Sequence, residues 1–169
     1  MTSPRSRFHV LFVCTGNICR SPLAEAVFNH YVQEEGLGDH FVVDSAGLDA
    51  WHVGERADPR TCRIGEKHGI DVPSIARQFE MGDFDRFDLI LAMDRGHFGA
   101  LRSRAPAAHR QKVRLMRDYD VPENQGRDVP DPYYGGGDGF QNVYDMLAVS
   151  CRNLLESLRE AVVRPSLEP

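Results

Sequence analysis

The chain has 169 residues, 41% of them apolar and 27% charged, with a formal net charge of −5. A chain of this length buries roughly 70% of its extended surface, so one domain needs no disulfide staples. The acidic balance excludes a global attraction to nucleic acid or to an anionic membrane, so any anion must be held by a local site.

The N-terminal run MTSPRSRFHVLFVC is too short in apolar length for a signal peptide, and no segment reads as a transmembrane helix. A reducing cytoplasm is the expected compartment, and thiols stay free there. Phe8 to Val13 predicts a short buried strand. A helix follows from Pro22, which suits a first turn, to Gly36, which suits a stop. Phe41 to Gly47 predicts a second strand. A second helix follows, with Asp58 as N-cap, Pro59 in the first turn and Gly69 as the end. Phe87 to Met93 is a third strand, apolar on both faces in its second half, as parallel strands are. Arg95 to Arg104 predicts a helix and Lys112 to Met116 a fourth strand. The final helix is the clearest element, with Phe140, Val143, Tyr144, Leu147, Cys151, Leu154, Leu155, Leu158 and Val162 at three- and four-residue steps.

Strands alternating with helices predict an α/β fold: one parallel sheet, four-stranded, with helices on both faces. The chain reads as a single domain, 1–169, with flexible ends at 1–6 and 165–169. Ligands in such folds sit at the C-terminal strand ends, where Cys14 lies. The four cysteines are Cys14, Cys19, Cys62 and Cys151; they form no CxxC pair, and no histidine pair has zinc-finger spacing, so no metal site is expected. Cys62 and Cys151 fall on helix faces and read as core.

The stretch VCTGNICRSP places a strand, a tight loop and a helix N-terminus in succession. Free N–H groups and the helix dipole make such a loop an anion cradle. Gly16 lets the backbone come close, Asn17 tolerates a left-handed turn, and Arg20 offers a planar fork that matches phosphate oxygens. The same positive field favours a thiolate over a thiol. The loop therefore prepares Cys14 as a nucleophile and holds an anionic electrophile against it. A lone cysteine ending a strand is more often a small buried hydrophobe. The context of strand, turn residues and helix is what raises the functional reading.

That stretch resembles the phosphate-binding loop of the low-molecular-weight protein tyrosine phosphatases. SAG at Ser45 to Gly47, ADPR at Ala57 to Arg60, HGI at His68 to Ile70, AMD at Ala92 to Asp94 and DPYYG at Asp131 to Gly135 fall in that family's order. CTGN and WHVG (Trp51 to Gly54) resemble its actinobacterial members most. The resemblance implies a metal-independent, cofactor-free phosphoric monoester hydrolase acting on phosphotyrosine. Cys14 attacks phosphorus to form a cysteinyl-phosphate. Arg20 and the loop from Thr15 through Cys19 hold the equatorial oxygens. Ser21 bonds the sulfur, and Asp131 is the general acid and then the general base. Read without the family, Asp131 is an Asp-Pro turn in an irregular loop that parallel topology brings to the Cys14 edge. Asp128 is the rival acid.

The resemblance also implies that Ser45 and His68 brace Asn17. Taken singly, they are a strand-end serine and a helix-end histidine. Trp51, Tyr133 and Tyr134 are the aromatic walls of a phosphotyrosine pocket by family position, and surface aromatics otherwise; Thr15 and Ile18 line its mouth. Relatives acting on phosphoarginine tend to carry threonine where this chain has Ile18. Cys19 reads equally as a redox partner of Cys14 and as a buried apolar thiol. Two other functions compete. An arsenate reductase of the same fold needs relay cysteines that Gln78 to Asp94 lacks. A catalytically dead binding module would not need Cys14, Arg20 and Asp131 together. The expected partners are phosphotyrosine proteins and inorganic phosphate as product and inhibitor, with no nucleic acid and no membrane. The expected state is a monomer or weak dimer.

Overall fold

The protein is represented by a computed structural model that describes residues 7–163; the tails assigned to 1–6 and 165–169 lie outside the described residues. Four strands, β1 (Phe8–Cys14), β2 (Phe41–Gly47), β3 (Leu89–Ala92) and β4 (Val113–Leu115), form one parallel sheet in the order β2-β1-β3-β4. Five α-helices lie among the described residues: α1 (Arg20–Glu34), α2 (Pro59–Lys67), α3 (Asp83–Arg86), α4 (Arg95–Arg104) and α5 (Gly139–Val163). None is long and apolar enough to cross a membrane.

The two-residue period of β1 sorts the core. Val10 and Phe12 face one side and pack with α1, α2 and α5. Leu11 and Val13 face the other and pack with Phe84 of α3 and Leu101 of α4. Both faces are thus covered, which is why β1 is apolar at successive positions. Phe12 and Phe28 are fully buried with ring centroids 5.8 Å apart. Each such ring contributes about 2–3 kcal/mol of apolar burial. On α5, Val143, Leu147, Cys151 and Leu154 are buried, while Phe140, Leu158 and Val162 are only partly so.

Several boundaries differ from expectation for local reasons. Helix α1 starts at Arg20 rather than Pro22. A proline inside the first turn lacks only an N–H that has no intrahelical acceptor there, so the helix begins before it. Strand β3 is shorter than Phe87 to Met93, because Phe87 closes α3 with its N–H on the Asp83 carbonyl (3.0 Å). Helix α3 has no apolar period. It is built on the buried Asp83 carboxylate, which accepts from the Glu80 N–H (2.8 Å), Arg77 and Arg86. Strand β4 keeps only Val113–Leu115 of the expected five residues, since 3₁₀ turns occupy both flanks.

Parallel topology brings the exits of β1, β2 and β3 to one edge, with Cys14 opposite Gly47 and Val13 opposite Ala92. The long segment after β4 returns to that edge through the Val129 N–H, which donates to the Met93 carbonyl (2.8 Å). Asp131 follows two residues later.

Candidate active site

The loop from Cys14 to Ser21 is moulded against the segment after β2. The carbonyls of Cys14, Thr15 and Ile18 accept from the N–H groups of Leu48, Asp49 and Asp58 at 2.8–3.0 Å. With the carbonyls turned outward, the N–H groups of Gly16, Asn17, Ile18 and Cys19 are left with no protein acceptor among the described residues. These are the donors an anion needs. Gly47 makes the moulding possible: a Cβ there would lie 2.8 Å from the Thr15 carbonyl oxygen and 3.0 Å from the Asn17 nitrogen.

Asn17 has φ 58°, the only positive value at a non-glycine among the described residues. Its side chain holds that strained turn, which costs of order 1 kcal/mol or more. Its amide nitrogen donates to Ser21 Oγ (2.7 Å) and Ser45 Oγ (2.9 Å), and its oxygen accepts from the Arg77 N–H (3.1 Å). Ser45 Oγ in turn donates to Glu25 Oε1 (2.5 Å). Burial pushes the Glu25 carboxyl up to about 7, with the Ser45 hydrogen bond and Arg77 opposing and Asp44 adding to the rise. The brace therefore ends on a carboxyl that titrates near neutrality.

His68 is not part of this brace. It stands exposed at the C-cap of α2, where Gly69 (φ 73°) turns the chain away. Its ring stacks on Tyr144 of α5, centroids 3.8 Å apart and 9° from parallel. The main-chain N–H of Arg77, rather than an imidazole, completes the hold on Asn17.

Cys14 is 2% exposed, and its Sγ lies 2.9 Å from Ser21 Oγ. Arg20, 3% exposed, has its guanidinium fixed by the Asp94 carboxylate (3.0 Å), the Val129 carbonyl (3.0 Å) and Thr15 Oγ1 (3.3 Å). Asp131 Oδ2 stands 3.9 Å from Arg20 Nη2. Its other oxygen accepts from the Tyr133 N–H (3.0 Å) and sets its direction by an Asx turn. Cys19 carries the opposite electrostatics from an activated thiol: burial first, then Asp58, raises it to about 12, so it stays neutral. Asp128, the rival acid, is committed elsewhere. Partial burial raises its pKa, but hydrogen bonds from Arg95 outweigh this and leave it lowered.

Cys14, Arg20 and Asp131 line one cleft of about 140 Å³, together with Thr15, Gly16, Ile18 and Cys19. Trp51, His52, Tyr133 and Tyr134 form its walls. Trp51 is 79% exposed and Tyr134 91% exposed, so they form a rim rather than a packed wall. Tyr133 is steadied from outside: Arg60 lies 5.2 Å from its ring centroid and donates to its carbonyl (3.1 Å). Among the described residues no cluster of acidic, histidine or cysteine side chains could hold a metal ion.

Four contributors escaped the sequence reading. Asp94 and His97 belong to the start of α4 and hold Arg20 and Thr15. His52 lies over Gly16, where an added Cβ would meet its Cδ2 at 2.9 Å. Glu25 anchors the brace. Only Asp94 carried a signal, as a capping residue between a strand and a helix at the Cys14 edge.

Comparison with known proteins places this arrangement among relatives. A family model described as low molecular weight phosphotyrosine protein phosphatase matches residues 9–164. A low molecular weight protein-tyrosine-phosphatase of Streptomyces coelicolor is 50% identical over 157 residues, covering 92% of this chain and 96% of the relative. The crystal structure of a protein tyrosine phosphatase from Entamoeba histolytica superposes with a TM-score of 0.87 at 42% identity, covering 91% of this chain and 98% of that one. An arginine phosphatase of Drosophila superposes with a TM-score of 0.81 at 33% identity over 89% of this chain and 97% of that one.

Proposed function

The chain belongs to the low molecular weight phosphotyrosine protein phosphatase family, and from that membership we propose how its own residues divide the reaction. It is a metal-independent protein-tyrosine phosphatase that works through a cysteinyl-phosphate intermediate. Cys14 Sγ attacks phosphorus in line with the phenolic leaving group; the S–P bond forms as the P–O bond breaks. Asp131 gives its proton to the departing phenolate oxygen. Water then attacks phosphorus, Asp131 takes a proton from it, and the S–P bond breaks with the electron pair returning to sulfur. Arg20 and the free N–H groups of Gly16 to Cys19 hold the three equatorial oxygens in both steps. Ser21 donates to the sulfur when it carries charge. Thr15, Ile18, Trp51, Tyr133 and Tyr134 hold the aromatic ring of the substrate. The observation that carries this division is that the buried sulfur, the fixed guanidinium and the half-exposed carboxylate share one cleft.

The same reading extends to partners and place. Phosphotyrosine proteins are the substrates and inorganic phosphate is product and competitive inhibitor. The chain works in the cytoplasm as a monomer or weak dimer, with neither nucleic acid nor membrane as partner. Cys19, neutral and facing the same cleft, is available to close a reversible disulfide with Cys14. Similarity to an arginine phosphatase supports one rival substrate, and Ile18 at the loop crest argues against it. Matched peptides bearing phosphotyrosine, phosphoarginine or phosphoserine decide between them. Phosphotyrosine is expected to have the highest kcat/KM by at least about tenfold; phosphoarginine turning over as fast would overturn the substrate assignment.

A further inference from the structure

His97 is a buried imidazole, 6% exposed, that takes no part in the chemistry above. It sits in the first turn of α4, where its N–H donates to the capping Asp94 Oδ1 (2.8 Å). Its Nε2 lies 2.8 Å from Thr15 Oγ1, and its Nδ1 lies 3.2 Å from Asp94 Oδ1. Asp94 Oδ2 accepts from Arg20 Nη1, and Thr15 Oγ1 lies 3.3 Å from Arg20 Nη2. Thr15, Arg20 and Asp94 thus link His97 back to its own helix cap, and the ring closes by proximity alone, since Nδ1 makes no hydrogen bond.

The Asp94 carboxylate beside Nδ1 favours one arrangement of the protons in that ring. A guanidinium only donates, so Thr15 Oγ1 accepts from Arg20. The oxygen's second lone pair could equally take an Nε2–H, so the direction of the Thr15–His97 bond is set at the other ring nitrogen, which lies 3.2 Å from a carboxylate oxygen. The favoured form is the neutral imidazole with its proton on Nδ1, on the side of the Asp94 carboxylate, and Nε2 then accepts from Thr15. The other neutral tautomer would set the Nδ1 lone pair against a carboxylate oxygen, which is repulsive. Charges around the imidazole are mixed: Arg20 from α1 on one side, Asp94 at its own helix cap, and Asp131 and Asp128 from the segment after β4. Burial, aided by Arg20, outweighs the three carboxylates and lowers the pKa of His97, which keeps it neutral at neutral pH.

We propose that His97 is a positioning residue for the phosphatase reaction: by accepting the Thr15 proton it commits the Thr15 oxygen to Arg20 and fixes the fork that receives phosphate. This rests on Arg20 being the phosphate binder. Protonation of His97 would turn Nε2 into a donor and swing the Thr15 proton toward the cleft. Asp94 would then be shared between two cations, and Arg20 would lose its fixed orientation.

Nitrogen NMR of the histidine-labelled protein at neutral pH tests the arrangement without turnover. The Nδ1–H tautomer is expected for His97; an Nε2–H tautomer or an imidazolium overturns the proposal. Turnover of p-nitrophenyl phosphate tests its consequence. His97→Leu is expected to lower kcat/KM about tenfold, the worth of one hydrogen bond to a charged group. His97→Gln, long enough to keep an amide oxygen near Thr15, is expected to stay within about threefold of the parent. Equal loss in both variants, or none in either, overturns it. Should His97→Leu fail to fold, the tautomer and the Gln variant decide. A parent protein that does not hydrolyse the ester at all would instead strike the phosphatase reading, which the NMR measurement leaves untouched.

Discussion

The two loops that meet in the cleft are built to opposite specifications. From Cys14 to Ser21 the chain is buried except at the half-buried Thr15 and Gly16, and its outward carbonyls and its polar side chains are held by neighbours. Around Asp131 the chain is exposed except at Pro132, carries three successive glycines after Tyr134, and is held by one Asx turn, the Arg60 contact and a long hydrogen bond from the Gly135 N–H to the Pro132 carbonyl (3.3 Å). The difference teaches where each part of the reaction gets its geometry. Folding alone fixes the sulfur, the guanidinium and the amide donors, so charge stabilisation needs no rearrangement on binding. The acid is left adjustable; in the proposed reading, a substrate ring held between Tyr133 and Trp51 completes its placement.

The largest test of the contrast removes the fixed centre. Cys14→Ser is expected to cut turnover about 10⁴-fold or more while phosphate-ester binding survives, because the cradle does not depend on the sulfur. Steady-state rates and calorimetric binding measure the two separately, and loss of both would mean the cradle is not self-sufficient. The next test removes the adjustable part. Asp131→Ala is expected to slow alkyl or unactivated phenyl esters about 10²–10³-fold and p-nitrophenyl phosphate far less, because only the poor leaving group needs a proton. Equal losses across a leaving-group series would take Asp131 out of the acid role.

The smallest test concerns stability of the fixed loop. The folded-state pKa of Glu25 is raised to about 7, so the folded protein binds this proton more tightly than the unfolded chain does. The resulting stabilisation is present at acid pH and is lost as pH rises from about 4.5 through 7. Glu25→Gln keeps an acceptor for Ser45 without the charge. It is expected to flatten this slope and to raise the melting temperature at pH 8 relative to the parent, by an amount that corresponds to no more than about 3 kcal/mol. Parallel melting curves of the two proteins from pH 5 to pH 8 would refute it.

Much of the fixed loop was legible because its logic is local. A strand ending in Cys14, a glycine, an asparagine and an arginine opening a helix lie within eight residues, and physical chemistry assigns each a task. Topology brought the Asp131 loop to the Cys14 edge, since a parallel sheet returns every strand exit to one edge, but its role as the acid came from the family resemblance and not from the residues around it. The partners reached across the fold were not. His68 stands one residue before a helix-ending glycine, and nothing local says that it turns toward Tyr144 rather than toward Asn17. Asp94 and His97 read as an ordinary cap and a helical residue, because their contacts to Arg20 and Thr15 span 74 and 82 positions. Helix α3 was invisible for a different reason: its organising carboxylate is held by arginines only three and six positions away, in a pattern that no apolar periodicity reveals.

Gly47 gives the site its tolerance. At that point the neighbouring strand presses bare main chain against bare main chain, with no side chain between them to yield. A single methyl group would act as a wedge under the curve of the cradle, lifting its amides away from their common focus. The shape of the anion cradle is therefore ruled by a residue outside the loop itself, and any side chain added there meets main chain at 2.8–3.0 Å.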